Sequence, residues 1–241
     1  LAFGRLTLLS DDEITSIHEA SLKILREIGI KVLSKKVQSL LAENGAKIDA
    51  ASSIVKIPNS LVKEAIKKVP KEIVLCGRNP KFDLNLPTKD FTFIATSGYA
   101  TFMRDLETGK KRMTKTSDLR DFALLADYLD QVDFFDSIVA PTELPPPVQT
   151  VHSLAVSFEN TDKHVLNRAL NEKQAKWQIK LASTVVGGEE KLRKRPIFCS
   201  INCPVSPLLF EEGSSEAMVE WAKAGIPVVP MSMALCGSTA P

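Results

Sequence analysis

Long apolar runs are missing from this chain: no segment approaches the roughly 18 to 20 consecutive apolar residues that a bilayer-spanning helix needs. Its opening Leu-Ala-Phe-Gly-Arg also lacks the basic-then-apolar order of a secretion signal, so a cytoplasmic protein with no membrane partner is expected. Cysteine is scarce, with four residues at Cys76, Cys199, Cys203 and Cys236 and no Cys-x-x-Cys pair. Cys199 and Cys203 are spaced to share one face of a strand, but no histidine lies near them and a zinc site wants about four ligands. Reduced, buried thiols are therefore expected, with neither metal nor disulfide. Charge of one sign is lacking as well, because 31 Lys and Arg face 29 Asp and Glu. That balance argues against nucleic acid as a partner. The basic cluster Lys191, Arg193, Lys194 and Arg195 reads as a solvated helix end favoured by the dipole. No glycine-rich phosphate loop is present, and Gly187-Gly188 reads as a helix stop.

What is present is a regular beat in the second half. Apolar, β-branched runs begin near Asp133, His164, Pro196 and Ile226, at steps of 30 to 32 residues. Amphipathic stretches between them are long enough for crossover helices, which implies parallel strands joined by βα connections. Four such units make the first half of an eight-stranded barrel. The fold class expected is α/β: a partial TIM-type (β/α)8 barrel, its first four βα units, with an N-terminal α+β extension. The chain stops after the fourth run, so the remainder is expected in a longer protein. An open half-barrel with bare edges and an exposed inner face should otherwise pair with a second copy as a homo-oligomer.

The first half follows different rules. Ser10-Asp11-Asp12-Glu13 is a capping box, and Ile14, Ile17, Ile24 and Ile28 follow at helical spacing up to Gly29. Helices are expected over 35–44 and 59–69, with short strands within 47–57. Strands are expected over 72–76, 82–86 and 91–96, and a hairpin around 106–109. A helix over 117–129 would turn Leu119, Phe122, Ala123 and Ala126 inward. The Pro145-Pro146-Pro147 run reads as a stiff connector. Residues 1–130 are thus expected as the extension, and 131–241 as the truncated barrel.

Several motifs together resemble one family, the trimethylamine:corrinoid methyltransferases. They are Leu6-Thr7-Leu8-Leu9-Ser10 with the Ile-His-Glu-Ala-Ser-Leu-Lys-Ile-Leu helix after it, Gly29-Ile30-Lys31-Val32, and Asp105-Leu106-Glu107-Thr108-Gly109-Lys110. To these add Glu159-Asn160-Thr161-Asp162-Lys163, Ala224-Gly225-Ile226-Pro227-Val228-Val229 and Gly237-Ser238-Thr239-Ala240-Pro241. The resemblance implies a TIM-type barrel with an N-terminal extension. It also implies transfer of a methyl group from a methylated or quaternary amine to the Co(I) corrinoid of a separate, cognate corrinoid protein. No cofactor would then be held tightly by the chain itself; the corrinoid (cobalamin) stays on its carrier. Some members carry pyrrolysine in the later part of the barrel and others use quaternary amines such as glycine betaine, and no catalytic residue from that region carries over to this chain.

A quaternary ammonium neither donates nor accepts a hydrogen bond, so its pocket needs aromatic faces and apolar walls. In a barrel these belong to the loops after the strands. Glu143 offers a negative charge, Asn202 and Ser206 offer polar contacts, and Met231 and Met233 offer an apolar wall. Tyr99, beside Gly98 and one of two tyrosines, offers an aromatic face. Each also has an ordinary structural reading: a solvated loop acid, satisfied turns, barrel core and a core tyrosine. His18 is expected on the exposed side of the first helix, and His152 and His164 lack serine or acid partners in a triad-like pattern. Two other classes stay open: a non-catalytic relative that keeps a partner-binding surface, and a barrel enzyme of different chemistry, since a fold does not fix a function.

Overall fold

The computed structural model of the protein describes residues 7–89, 91–232 and 237. They group into two compact units, one of residues up to Lys71 with Pro204–Ser215, the other of Glu72–Cys203 with Glu216–Met231. Within the second unit, residues 94–114 bond directly to the parallel strand region: Asp133 N–H to Ile94 O at 2.7 Å, Ala100 N–H to Ile138 O at 2.9 Å and Thr142 N–H to Thr114 O at 3.2 Å.

The first unit starts with α1 (Asp11–Lys23), set by the expected capping box: the Ser10 hydroxyl accepts from the Glu13 N–H at 3.3 Å and the Glu13 carboxylate accepts from the Ser10 N–H at 2.8 Å. One wider π turn, Ile24–Ile28, follows and ends at Gly29. Glycine is required there. Its φ is 85°, and a Cβ would lie 2.6 Å from the Val55 carbonyl oxygen. Next come β1 (Ile30–Val32), α2 (Lys35–Glu43), β2 (Lys47–Asp49), β3 (Ile54–Lys56) and α3 (Asn59–Lys68). β1 and β2 flank β3 antiparallel, with Val32 and Val55 in the core. The isoleucine stripe of the first helix is left largely uncovered: Ile14 and Ile17 are 53% and 55% exposed, and Leu22 is the residue of α1 that is buried. Helical spacing fixes which residues share a face, but covering that face takes a neighbour.

In the second unit, β4 (Ile73–Leu75) and β5 (Leu84–Leu86) form one antiparallel pair, and β6 (Phe102–Arg104) and β7 (Lys111–Met113) form the expected hairpin. Two expected strands are cut back. Pro80–Phe82 forms a 3-10 turn capped by the Asn79 side chain, so β5 begins at Leu84 instead of Phe82. Residues 91–96 make one isolated bridge, Ala95 to Phe134, in place of a strand. Side chains take the ladder positions there: Asp133 Oδ2 accepts from the Ile94 N–H at 2.7 Å, and the Thr96 hydroxyl bonds both the N–H and the C=O of Asp136 at 2.8 Å.

After α4 (Thr116–Tyr128) the βα alternation begins: β8 (Phe134–Asp136), α5 (Pro146–Asn160), β9 (His164–Asn167), α6 (Glu172–Val186), α7 (Glu189–Lys194) and β10 (Phe198–Asn202). The chain then gives β11 (Leu209–Phe210) to the first unit, parallel to β1, and returns through α8 (Glu212–Ala224) to β12 (Val228–Pro230). Pro146 and Pro147 are no connector. They open α5, where a missing N–H costs nothing and φ is already helical. β8, β9, β10 and β12 form one sheet in chain order with every pair parallel. The fold is thus α/β with a parallel sheet. One face packs on the helices: Phe135, Val165 and Phe198 meet Leu119, Leu154, Phe158, Ala175 and Trp221, all of them buried. Each such side chain contributes about 1.5–3 kcal/mol of burial. Strand alternation turns Phe134, Asp136, His164, Leu166 and Cys199 to the other face.

Candidate functional site

The C-terminal ends of the parallel strands carry a polar cluster in an otherwise apolar sheet. Asp136 ends β8, and Arg168 follows the last residue of β9. Arg168 Nη2 lies 2.8 Å and 3.1 Å from the two Asp136 carboxylate oxygens, and its Nη1 donates to Gly98 O at 3.0 Å. The guanidinium also covers the Tyr99 ring, 4.6 Å from its centroid. The Arg168 backbone is held from both sides, its N–H by Asn167 Oδ1 at 2.8 Å and its carbonyl by Gln178 Nε2 at 2.7 Å. Asn167 is anchored in turn, donating to Thr150 O on α5 at 2.9 Å. Side chain and main chain of Arg168 are thereby fixed together.

Burial sets the electrostatics. The Asp136 and Arg168 side chains are 4% and 17% exposed. Burial pushes the Asp136 carboxyl above its usual range, and the Arg168 charge pulls part of the way back. The buried Tyr99 phenol is pushed up for the same reason. On the same face, burial drives Cys199 up to about 12 and His164 down to about 4. Cys199 is therefore a thiol and His164 a neutral imidazole at pH 7, and both are enclosed. Neither serves as a nucleophile or solvent-facing base. The cluster's chemistry is positioning: a paired charge that holds one aromatic ring in place.

The sequence-derived candidates separate here. Tyr99 stands in the cluster, with one ring face taken by Arg168. Asn202 ends β10, is buried, and its carbonyl accepts from the N–H of Met231 at 2.9 Å, so these two meet where β10 and β12 end. Glu143, in the loop after β8, instead accepts from the first N–H of α4, Thr116 N, at 2.7 Å. Its slight burial raises the carboxyl, and the bonds from Thr116 more than offset this, leaving it below its usual range. Ser206 belongs to the first compact unit. Met233 lies outside the described residues, as does Cys236. Cys203 corrects the buried-thiol expectation: β10 ends one residue before it, and it is exposed. Among the described residues no three His, Cys, Asp or Glu side chains gather as a metal-ligand set, and no helix is long and apolar enough to cross a membrane.

Asp136, Arg168 and Asn167 were missed by sequence reading although each lies inside or just after a recognised run. The signal was a charged or amide residue closing an apolar strand. The apolar runs continue past the true strand ends, since β8 ends at Asp136 and β9 at Asn167.

Comparison with known proteins agrees with the motifs. The sequence profile described as trimethylamine methyltransferase (MTTB) matches residues 2–241. The chain is 39% identical over 230 residues to the trimethylamine methyltransferase MttB of Desulfitobacterium hafniense (strain DSM 10664 / DCB-2), covering 95% of this chain and 46% of that protein. It is 30% identical to the MttB of Methanosarcina barkeri (strain Fusaro / DSM 804), covering 98% and 48%. Against the glycine betaine methyltransferase of Desulfitobacterium hafniense (strain Y51) identity is 28%, covering 97% and 48%. The chain spans about half the length of these curated relatives. With the profile matched from residue 2 to residue 241, the chain belongs to the trimethylamine methyltransferase family.

Proposed function

We propose that this chain is the N-terminal half of a methyltransferase that moves a methyl group from a methylated or quaternary amine, of the trimethylamine or glycine betaine type, to the Co(I) corrinoid of a cognate partner protein. The observation that carries this reading is the sheet β8-β9-β10-β12, parallel and in chain order, with Tyr99 fixed by Arg168 at the strands' C-terminal ends. Parallel strands in that order are what the first four units of a (β/α)8 barrel require, and barrel sites lie at that end. Among the described residues β12 pairs with β10 alone, leaving a sheet edge for further strands of the longer protein or for a second copy in a homo-oligomer.

Reduced cobalt supplies the nucleophile for displacement at a methyl carbon. It is brought by another protein, so this chain needs an accessible end of the sheet more than a resident metal site. Exposed Cys203, Leu170 and Met231 stand there. The methyl–nitrogen bond would break as the bond to cobalt forms, and nitrogen would leave with the electron pair as a neutral amine, from a quaternary ammonium or a trimethylammonium that already carries its proton. No protein acid is needed, which fits a cluster in which Asp136 is tied up by Arg168 and neither Cys199 nor His164 is available. The residues' task is to bind, orient and exclude water. Tyr99 gives the alkylammonium an aromatic surface, Met231 an apolar one, and the Asn202 carbonyl fixes the strand end that carries Met231.

The test uses the full-length protein with its corrinoid partner and either trimethylamine or glycine betaine as donor. Methyl transfer to the reduced corrinoid from one of them is expected, with Tyr99→Ala raising KM for the amine by about tenfold and leaving the fold intact. Absence of transfer from both donors refutes the activity. Unchanged KM in Tyr99→Ala removes Tyr99 from the pocket.

A further inference from the structure

The outer surface of the helical layer has a feature that methyl transfer does not use. A groove of about 640 Å³ runs between α5 and α6, walled by Pro147, Val148, Val151 and Ala155 on one side and Trp177 and Leu181 on the other. Trp177 is 51% exposed and Val148 47%, whereas the chain's other tryptophan, Trp221, is fully enclosed. An exposed tryptophan beside an apolar trough is the residue type most enriched where partners bind.

Two further observations narrow the occupant. The groove lining contains Lys173 and His152 and no carboxylate, and Lys180 stands over the Trp177 ring at 5.1 Å. Both helices also begin at this end, so their positive dipole ends add to the lysines. The seam lies over β9, an interior strand. Further βα units would join the sheet beyond β8 or β12 and leave this seam open.

We propose that the groove docks an amphipathic helix of another protein, apolar on one face and flanked by carboxylates. Helix-in-groove recognition reads such a ligand through apolar anchors at i, i+3, i+4 and i+7, while Lys173 and Lys180 select acidic flanks and speed encounter. The groove lies beside the strands' C-terminal ends, so a protein held there stands next to the Arg168 cluster. The inference rests on the groove itself and stands whether or not the methyl-transfer reading holds.

The probe is a synthetic helical peptide of about 16 residues with leucine anchors and glutamate flanks, compared with the same peptide carrying lysine flanks. The full-length protein is titrated by tryptophan emission, which separates exposed Trp177 from enclosed Trp221. Expected is a blue shift that Trp177→Phe abolishes, with the acidic peptide binding at least about tenfold tighter than the basic one and the preference reversing in Lys173→Glu/Lys180→Glu. Equal binding of both peptides overturns the proposal, and so does no binding up to about millimolar peptide, the weakest affinity of interest. A concentration-dependent blue shift without peptide means that a second copy covers the groove, and overturns it equally.

Discussion

Replacing Arg168 with methionine keeps a long unbranched side chain over Tyr99 but removes the charge that partners Asp136. With Asp136 4% exposed and Arg168 17% exposed, solvent cannot take over the vacated bonds, and breaking a buried pair from one side costs about 3–5 kcal/mol. The carboxyl can escape part of this cost by taking up a proton. Burial already raises it in the native protein, and without Arg168 it rises further. A carboxyl with a raised folded pKa binds protons more tightly when folded, so its contribution to stability is present below the unfolded value and is lost as pH rises through the folded one. The Arg168→Met deficit should therefore be largest near pH 7 and shrink toward about pH 4.5. Adding Asp136→Asn removes the stranded charge, and the double variant should recover a large share of the loss. Urea unfolding at both pH values, read as the difference from the parent, isolates this effect from other titrations. An Arg168→Met loss below about 1 kcal/mol, the range of an exposed pair, or a deficit independent of pH would refute the reasoning.

Three other perturbations test the scaffold. His164 is fully buried, burial holds it down at about 4, and its Nδ1 stands 2.9 Å from Cys76 O; a lowered histidine favours the folded state above its unfolded value, so stability should fall by on the order of 3 kcal/mol as pH drops from about 6.5 to 4. In His164→Asn that part of the pH slope should flatten, as read by urea midpoints across the window. Gly29→Ala places a Cβ 2.6 Å from Val55 O at a φ of 85°, so a loss of at least about 1–2 kcal/mol is expected, and a neutral result would show that the β1–β3 approach is looser than described. Ser10→Ala removes one side of the α1 capping box and should cost about 1 kcal/mol, measured by thermal unfolding against a conservative Ser10→Thr control.

Local features were legible wherever short-range chemistry sets them. The Ser10-Asp11-Asp12-Glu13 cap, the glycine stop at Gly29, the 106–109 hairpin and the inward face of α4 follow from neighbours within a few residues, and the structure shows each of them. The recurrence of β8, β9, β10 and β12, whose starts lie 30, 34 and 30 residues apart, was legible because a βα unit has a nearly fixed length. Strand ends were not. Asp136 closes β8 because Thr96, forty residues earlier in the chain, takes its N–H and C=O, and no local pattern records such a bond. Lys163 is similar, since its charge is legible but its two bonds to the Ala126 and Leu129 carbonyls at the end of α4 are tertiary.

By itself, then, the sequence determined the βα alternation, the caps and the family, because periodicity, capping chemistry and motif identity are properties of contiguous residues. The tertiary structure decided what is covered and what is paired. It left Ile14 and Ile17 exposed, spent Glu143 on the start of α4, and joined Tyr99, Asp136 and Arg168. The physical reason is that burial and charge pairing depend on which distant segments meet, and one residue's chemistry limits those meetings without choosing among them.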